Sequence, residues 1–165
     1  MSILKPSYGA SVAVTSTALQ SLAYGGTGLV MWSSAVIDNT ANLSYDEIIT
    51  WQIKSGTSPT VGAVGECWLW EILDDTPTYP DTITGSEGAF TLTSFNVKYA
   101  GLFKFAGNII FDATTGRVYC NSFRLSQAFG TPPKKWGIAF VNSSGVALSS
   151  SGNVVTRTPV QFQIV

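Results

Sequence analysis

The chain has 165 residues, 45% hydrophobic and only 12% charged, with a formal net charge of -1 and no histidine. Its nine Lys and Arg are scattered, Lys134-Lys135 being the only adjacent pair, so it lacks the clustered cations with which nucleic-acid binders neutralise phosphates. The missing histidine removes His-based triads, His metal ligands and the usual general base near neutral pH, while Ser and Thr, about a fifth of the residues, predict a neutral, hydroxyl-rich surface that docks on protein with few charges to desolvate.

The opening stretch MSILKPSYGASVAVTSTALQSLAYGG has no continuous apolar run, so neither a signal peptide nor a membrane helix is expected. Beyond it, β-branched and aromatic runs alternate with clusters of Gly, Ser, Thr, Asn and Pro. They predict strands at 10–16, 28–37, 46–54, 63–73, 89–95, 101–111, 117–125, 136–142 and 156–165, with one helical turn at 17–23. The expected fold is all-β: an antiparallel, jelly-roll-like β-sandwich of eight or nine strands, one domain over residues 1–165 without a linker.

Taken in chain order, the stretches that resemble chemical sites are short. YGGTG at 24–28 lacks the Lys-Ser/Thr of a P-loop and is read as a turn. Glu66 and Glu71 in ECWLWE fall on opposite faces of a strand and do not form the carboxylate pair of a glycosidase. Trp68 and Trp70 share a face with Val64 and Ile72, which predicts a buried sheet surface. The alternative is a pair of exposed rings stacking on sugars, as in a carbohydrate-binding module for host adsorption. The loop DDTPTYPDTITGSEG at 74–88, kept out of a sheet by Pro77 and Pro80, offers Asp74, Asp75, Asp81 and Glu87 as candidate Ca²⁺ ligands. Their spacing matches no EF-hand and solvated loop acids are the expected reading, so no cofactor is expected.

Cys67 and Cys120 lie in apolar strand-like segments and are expected as buried, reduced thiols without nucleophilic activation. DATTG at 112–116 is expected to close an antiparallel hairpin, as is SSG at 143–145 between WGIAFVN and VALS. Within WGIAFVN, Trp136, Ile138 and Phe140 share one face, expected to fill the core. Gly137, Ala139 and Val141 share the other, a candidate interface covered either by the second sheet's edge and loops or by a neighbouring subunit.

YGG followed by AVIDNTANLSYDE at 35–47, and then AFGTPPKKWGIAFVNSSGVAL at 128–148, resembles a group of tailed-bacteriophage virion proteins. In these an Ile-Asp-Asn-Ser/Thr turn leads a strand, and a Phe-Gly…Pro-x-x-Trp-Gly-Ile/Leu segment opens a late hairpin ending near an Asn-x-x-Gly turn. The matching positions include Gly25, Gly26, Ile37, Asp38, Asn39, Asn42, Leu43, Phe129, Gly130, Pro133, Trp136, Gly137, Ile138, Asn142, Gly145 and Leu148. The resemblance implies a β-sandwich structural component of the virion and no enzymatic activity. It implies first a capsid decoration (cement) protein on the major capsid protein of an icosahedral shell, most often a homotrimer, and second a tail, neck or fibre-associated protein. Either would be assembled in the host bacterial cytoplasm, away from membranes.

Overall fold

The computed structural model describes residues 3–26, 29–40, 44–72, 78–94, 96–97, 101 and 103–165. Along them run β1 (Leu4–Tyr8), β2 (Val12–Val14), β3 (Val30–Ser33), β4 (Ile37–Asp38), β5 (Asp46–Lys54), β6 (Val64–Glu71), β7 (Gly88–Thr91), β8 (Phe103–Ile110), β9 (Val118–Arg124), α1 (Leu125–Phe129), β10 (Lys135–Asn142) and β11 (Val154–Ile164).

These strands form two antiparallel sheets. The first has the order β1-β11-β5-β9, with β2 also on β11; the second has the order β7-β3-β10-β6-β8, with β4 also on β10. The pairings are nested, β1 with β11, β3 with β10, β5 with β9 and β6 with β8. The chain therefore behaves as one long antiparallel ribbon rolled into two facing sheets, which is the jelly-roll arrangement. Eleven strands are described rather than eight or nine, the excess being short strands at the margins.

Alternation explains the first sheet. In β5, Ile49, Trp51 and Ile53 are fully buried while Ile48, Thr50, Gln52 and Lys54 on the other face are half-buried. The inward residues meet Cys67, Leu69, Trp136, Ile138 and Phe140 of the second sheet in one core cluster. The second sheet differs because it is apolar on both faces. Trp68 and Trp70 of β6, with Ala139 and Val141 of β10, point away from that core into a second cluster, closed by Met31, Ile72, Ile83, Leu92 and Phe103. Three layers result.

The small residues of β10 make this second cluster possible. A Cβ added at Gly137 would stand 2.1 Å from Cζ2 of Trp70, so the indole lies directly on the backbone. Trp70 Nε1 donates to Ser33 Oγ at 2.9 Å, and Tyr79 meets its ring edge-on with centroids 6.1 Å apart.

Several expectations about connection are corrected. DATTG closes no hairpin: β8 pairs with β6 in the second sheet and β9 with β5 in the first. The link is an arch between sheets, because Phe111 and Tyr119, edge to face at 5.0 Å, pack across the core instead of side by side. It is pinned by Asp112, which accepts from the Thr114 amide and the Tyr119 hydroxyl, and by Ser55, which donates to the Thr114 carbonyl. SSG likewise turns out of the second sheet, and residues 146–149 form no strand. There Asn142 Nδ2 donates to the carbonyls of Leu22 and Val146, and Gly145 adopts φ 87°, which an L side chain resists.

β1 was not expected, the first expected strand being 10–16. Pro6 is accommodated because the hydrogen-bonded pairs of this ladder are Ile3 with Val165 and Gly9 towards Pro159, which places position 6 in a non-bonded pair with its nitrogen facing outward. The expected helical turn at 17–23 is a run of turns over 17–21, and the short α1 was not foreseen.

Gly137→Ala is expected to destabilise the fold by about 1–3 kcal/mol through overpacking against Trp70, lowering the thermal midpoint by roughly 2–10 °C. Gly26→Ala, where an added Cβ meets only ordinary contacts with Tyr24, should leave it unchanged in the same calorimetric scan.

Candidate interaction surface

The residues singled out for chemistry are mostly absorbed by structure. Asp81 accepts from the Thr93 amide and hydroxyl, each at 2.7 Å. Glu87 accepts from the Ala18 amide at 2.7 Å and from Trp32 Nε1 at 2.8 Å. Asp74 and Asp75 lie outside the described residues. Among the described residues no three His, Cys, Asp or Glu side chains are grouped to hold a metal ion. Glu66 accepts from Trp68 Nε1 at 2.9 Å. Trp68 and Trp70 are 2% and 0% exposed, so neither ring is open to a sugar and the stacking alternative loses its site.

Gly137, Ala139 and Val141 are buried by this chain itself, beneath Trp70, Met31 and the segment carrying Ile83 and Leu92. A neighbouring subunit finds no surface there, so the interface reading of these three is corrected in favour of an intramolecular layer. Cys67 is buried as expected, and burial pushes its thiol well above the ordinary range, against a weak contact from Asn121. Cys120 is exposed. It pairs with Gln52 across β5 and β9 and falls on the outward face with Val118 and Ser122, where its apolar character does not bury it.

Sequence reasoning missed a buried charge cluster at the start of β5. Asp46, 3% exposed, accepts from the Ser126 amide and hydroxyl, both at 2.8 Å, with Arg124 at 3.5 Å. Glu47, 1% exposed, takes both its hydrogen bonds from Arg157 Nη1, at 2.8 and 3.1 Å. Burial pushes the Glu47 carboxyl up and Arg157 pulls it back. Adjacent acids in a β run were the available signal: one faces the core side and the other the outer side, so each must find its own partner. Both act as anchors, tying α1 to β5 and β11 to β5.

The surface that remains without an intramolecular role is apolar. Beyond Asp46, where β5 stops pairing, β1 and β11 continue as a two-stranded ribbon with Leu4 opposite Ile164, Pro6 opposite Phe162 and Tyr8 opposite Val160. Leu4 is 60% exposed, Tyr8 56%, Phe162 44% and Ile164 75%. Tyr45, also exposed, packs on Phe162 with ring centroids 4.4 Å apart. A second, smaller exposed group, Phe105 and Ile110, lies along β8. An open cleft of about 620 Å³ near Lys54, Gly116 and Ser149 is lined by Ser and Thr residues together with Val146, Ala147 and Leu148, Lys54 being the one cation of its lining.

Two measurements check this geometry. A small thiol reagent added to native protein should modify Cys120 at once and Cys67 only on unfolding, one thiol per chain before denaturant and two after. Asp112 is held down to about 2, first by the Thr114 amide and then by the Tyr119 hydroxyl. A depressed carboxylate stabilises the fold above its unfolded value and loses that contribution as pH falls through about 2. The thermal midpoints of wild type and Asp112→Asn should therefore differ near neutrality, with wild type higher, and converge as pH approaches 2.

No protein family matches the chain, and no curated protein matches it. Among solved structures it shows a likeness to VP2 in the subviral particle of infectious bursal disease virus, at 13% identity and a TM-score of 0.20, over 99% of this chain and 41% of that one. The chain spans less than half of that protein, and a likeness this slight carries no argument about function.

Proposed function

We propose that this protein is a structural component of a tailed-bacteriophage virion, a decoration protein that binds the major capsid protein and stabilises the icosahedral shell. The observation that carries the reading is a contact. The two segments on which the resemblance rests, 35–47 and 128–148, are about ninety residues apart in sequence yet pair directly. Trp136 stands opposite Ile37 and Lys135 opposite Asp38, and the Asn39 amide donates to the Lys134 carbonyl at 2.7 Å.

Other matched residues have definite tasks in the same region. Asn39 brackets Ser44, with Nδ2 donating to its carbonyl and Oδ1 accepting from its amide. Gly137 admits Trp70, Asn142 ties the following turn to Leu22, and Leu148 closes the core. Short motifs matched by chance would have no reason to meet in one structural unit. A shared way of closing the roll gives them one, and supports common architecture with the virion proteins they resemble. A charge-poor surface with exposed apolar groups suits a passive building block.

Peptide-level mass spectrometry of purified particles, calibrated against the major capsid protein, tests the proposal. Hundreds of copies per particle are expected of a decoration protein. A few or tens of copies would transfer the protein to the tail, neck or fibre, and its absence from particles would overturn the virion reading.

A further inference from the structure

We infer that the outward face of the β1–β11 ribbon is a self-association interface, on which the same face of a second copy of this chain packs to form a two-fold dimer. The inference stands on the ribbon's own chemistry and does not rest on the virion reading.

Both strands alternate strictly. LKPSY places Leu4, Pro6 and Tyr8 on one face and Lys5 and Ser7 on the other, and VQFQI places Val160, Phe162 and Ile164 on one face and Gln161 and Gln163 on the other. Such alternation is the signature of a half-buried strand pair. Its orientation here is reversed relative to the subunit's own core. Val155, which faces the core against Trp51, shares parity along β11 with Gln161 and Gln163, so the polar residues lie on the core side and the apolar ones point away. Of the six, only Val160, opposite Asp46 at the ribbon's base, is buried by this chain; Leu4, Pro6, Tyr8, Ile164 and Phe162, the last beside the Tyr45 ring, are all exposed.

Area and charge select the occupant. With Tyr45 the patch offers on the order of 700 Å², close to the roughly 800 Å² per partner of a standard interface. A two-fold contact sets each group near its own copy, so a charged face opposes itself. This face bears no charge; Lys5 lies on the reverse, and Arg124 at its border is held by Asp46 and the Tyr8 hydroxyl. A partner recognised by charge would find nothing to hold, whereas a second copy brings a matching apolar face. Pro6 decides the mode of contact: with its nitrogen outward it leaves a gap in the donors along the free edge of β1, which favours face-to-face packing over a continued ladder.

The test is the mass of the protein in solution, by sedimentation equilibrium from low to high micromolar concentration. Wild type is expected to reach twice the 17.5 kDa of the chain. The double variant Phe162→Glu/Ile164→Glu should remain at one chain with an unchanged circular dichroism spectrum, and Val61→Glu, an exposed apolar position off the patch, should dimerise like wild type. If the double variant fails to fold, Phe162→Ser replaces it, with at least a tenfold weaker association expected. In wild type, hydrogen-exchange protection of residues 3–8 and 160–165 should rise with concentration over the same range. A monomeric wild type, a trimer, full association in the folded variants, or protection that does not change with concentration would overturn the inference.

Discussion

The indole of Trp70 lying on the backbone of Gly137 is the contact on which the rest of the second sheet depends. β10 is central in that sheet, between β3 and β6, and residues 136 to 142 of it are all buried. One face carries Trp136, Ile138 and Phe140 into the core between the sheets; the other could not carry large residues as well, because β6 already places Trp68 and Trp70 there. Glycine at 137 and alanine at 139 are the complement of those two rings. Sheets stack at roughly 10 Å when both faces are filled, and the covering layer can approach the second sheet only because one strand supplies bulk and its neighbour gives way. Ser33, accepting from Trp70 Nε1, satisfies the one polar atom that this arrangement buries in the indole.

The positions of most strands were legible because alternation and turn composition are local. β5 is found at the expected residues, 46–54, and β6, β8, β9 and β10 within a few residues of expectation. Connection was not legible. DATTG and SSG have the composition of reversals and do reverse the chain, but nothing local says whether a reversal stays in its sheet. That depends on which distant strand offers the longer ladder. β9 finds seven partners along β5, and Phe111 and Tyr119 are better buried facing each other across the core than side by side. Cys120 shows the complementary failure, a residue type read as buried where parity places it outside.

The same distinction governs the residues bearing on function. Those that carry the family resemblance, Asn39, Trp136, Gly137 and Asn142 among them, prove to be the pivots by which the roll closes. Their tasks are architectural: pairing across the roll, close packing and the pinning of turns. The buried pair Asp46 and Glu47 illustrates the opposite case. Two adjacent buried carboxylates would suggest a reactive site, yet each already receives its hydrogen bonds, from Ser126 and from Arg157 respectively, and on opposite faces of β5 they hold α1 and β11 in place. Satisfied buried charges specify geometry more than they supply chemistry.

A rolled sandwich leaves sheet edges, and the way this chain treats them determines how it can meet other molecules. β1 carries a proline whose nitrogen faces outward. β7 is only four residues long. β8 is interrupted by a register shift opposite Cys67 and Trp68, beside Gly107 at φ 138°, and a bulge of this kind twists an edge away from a flat partner. β9 ends directly in α1. Each device discourages the addition of a further strand, so backbone pairing is a poor route to association. Contact is left to side-chain faces. Of these, the second sheet's outer face is sealed by its own tryptophans, the middle of the first sheet's outer face presents Thr50, Ser122, Thr156 and Thr158, and the ribbon of β1 and β11 carries a larger group of open apolar side chains than Phe105 and Ile110 on β8. Edges treated in this way leave side-chain faces, rather than unpaired strands, as the surfaces this protein offers to other molecules.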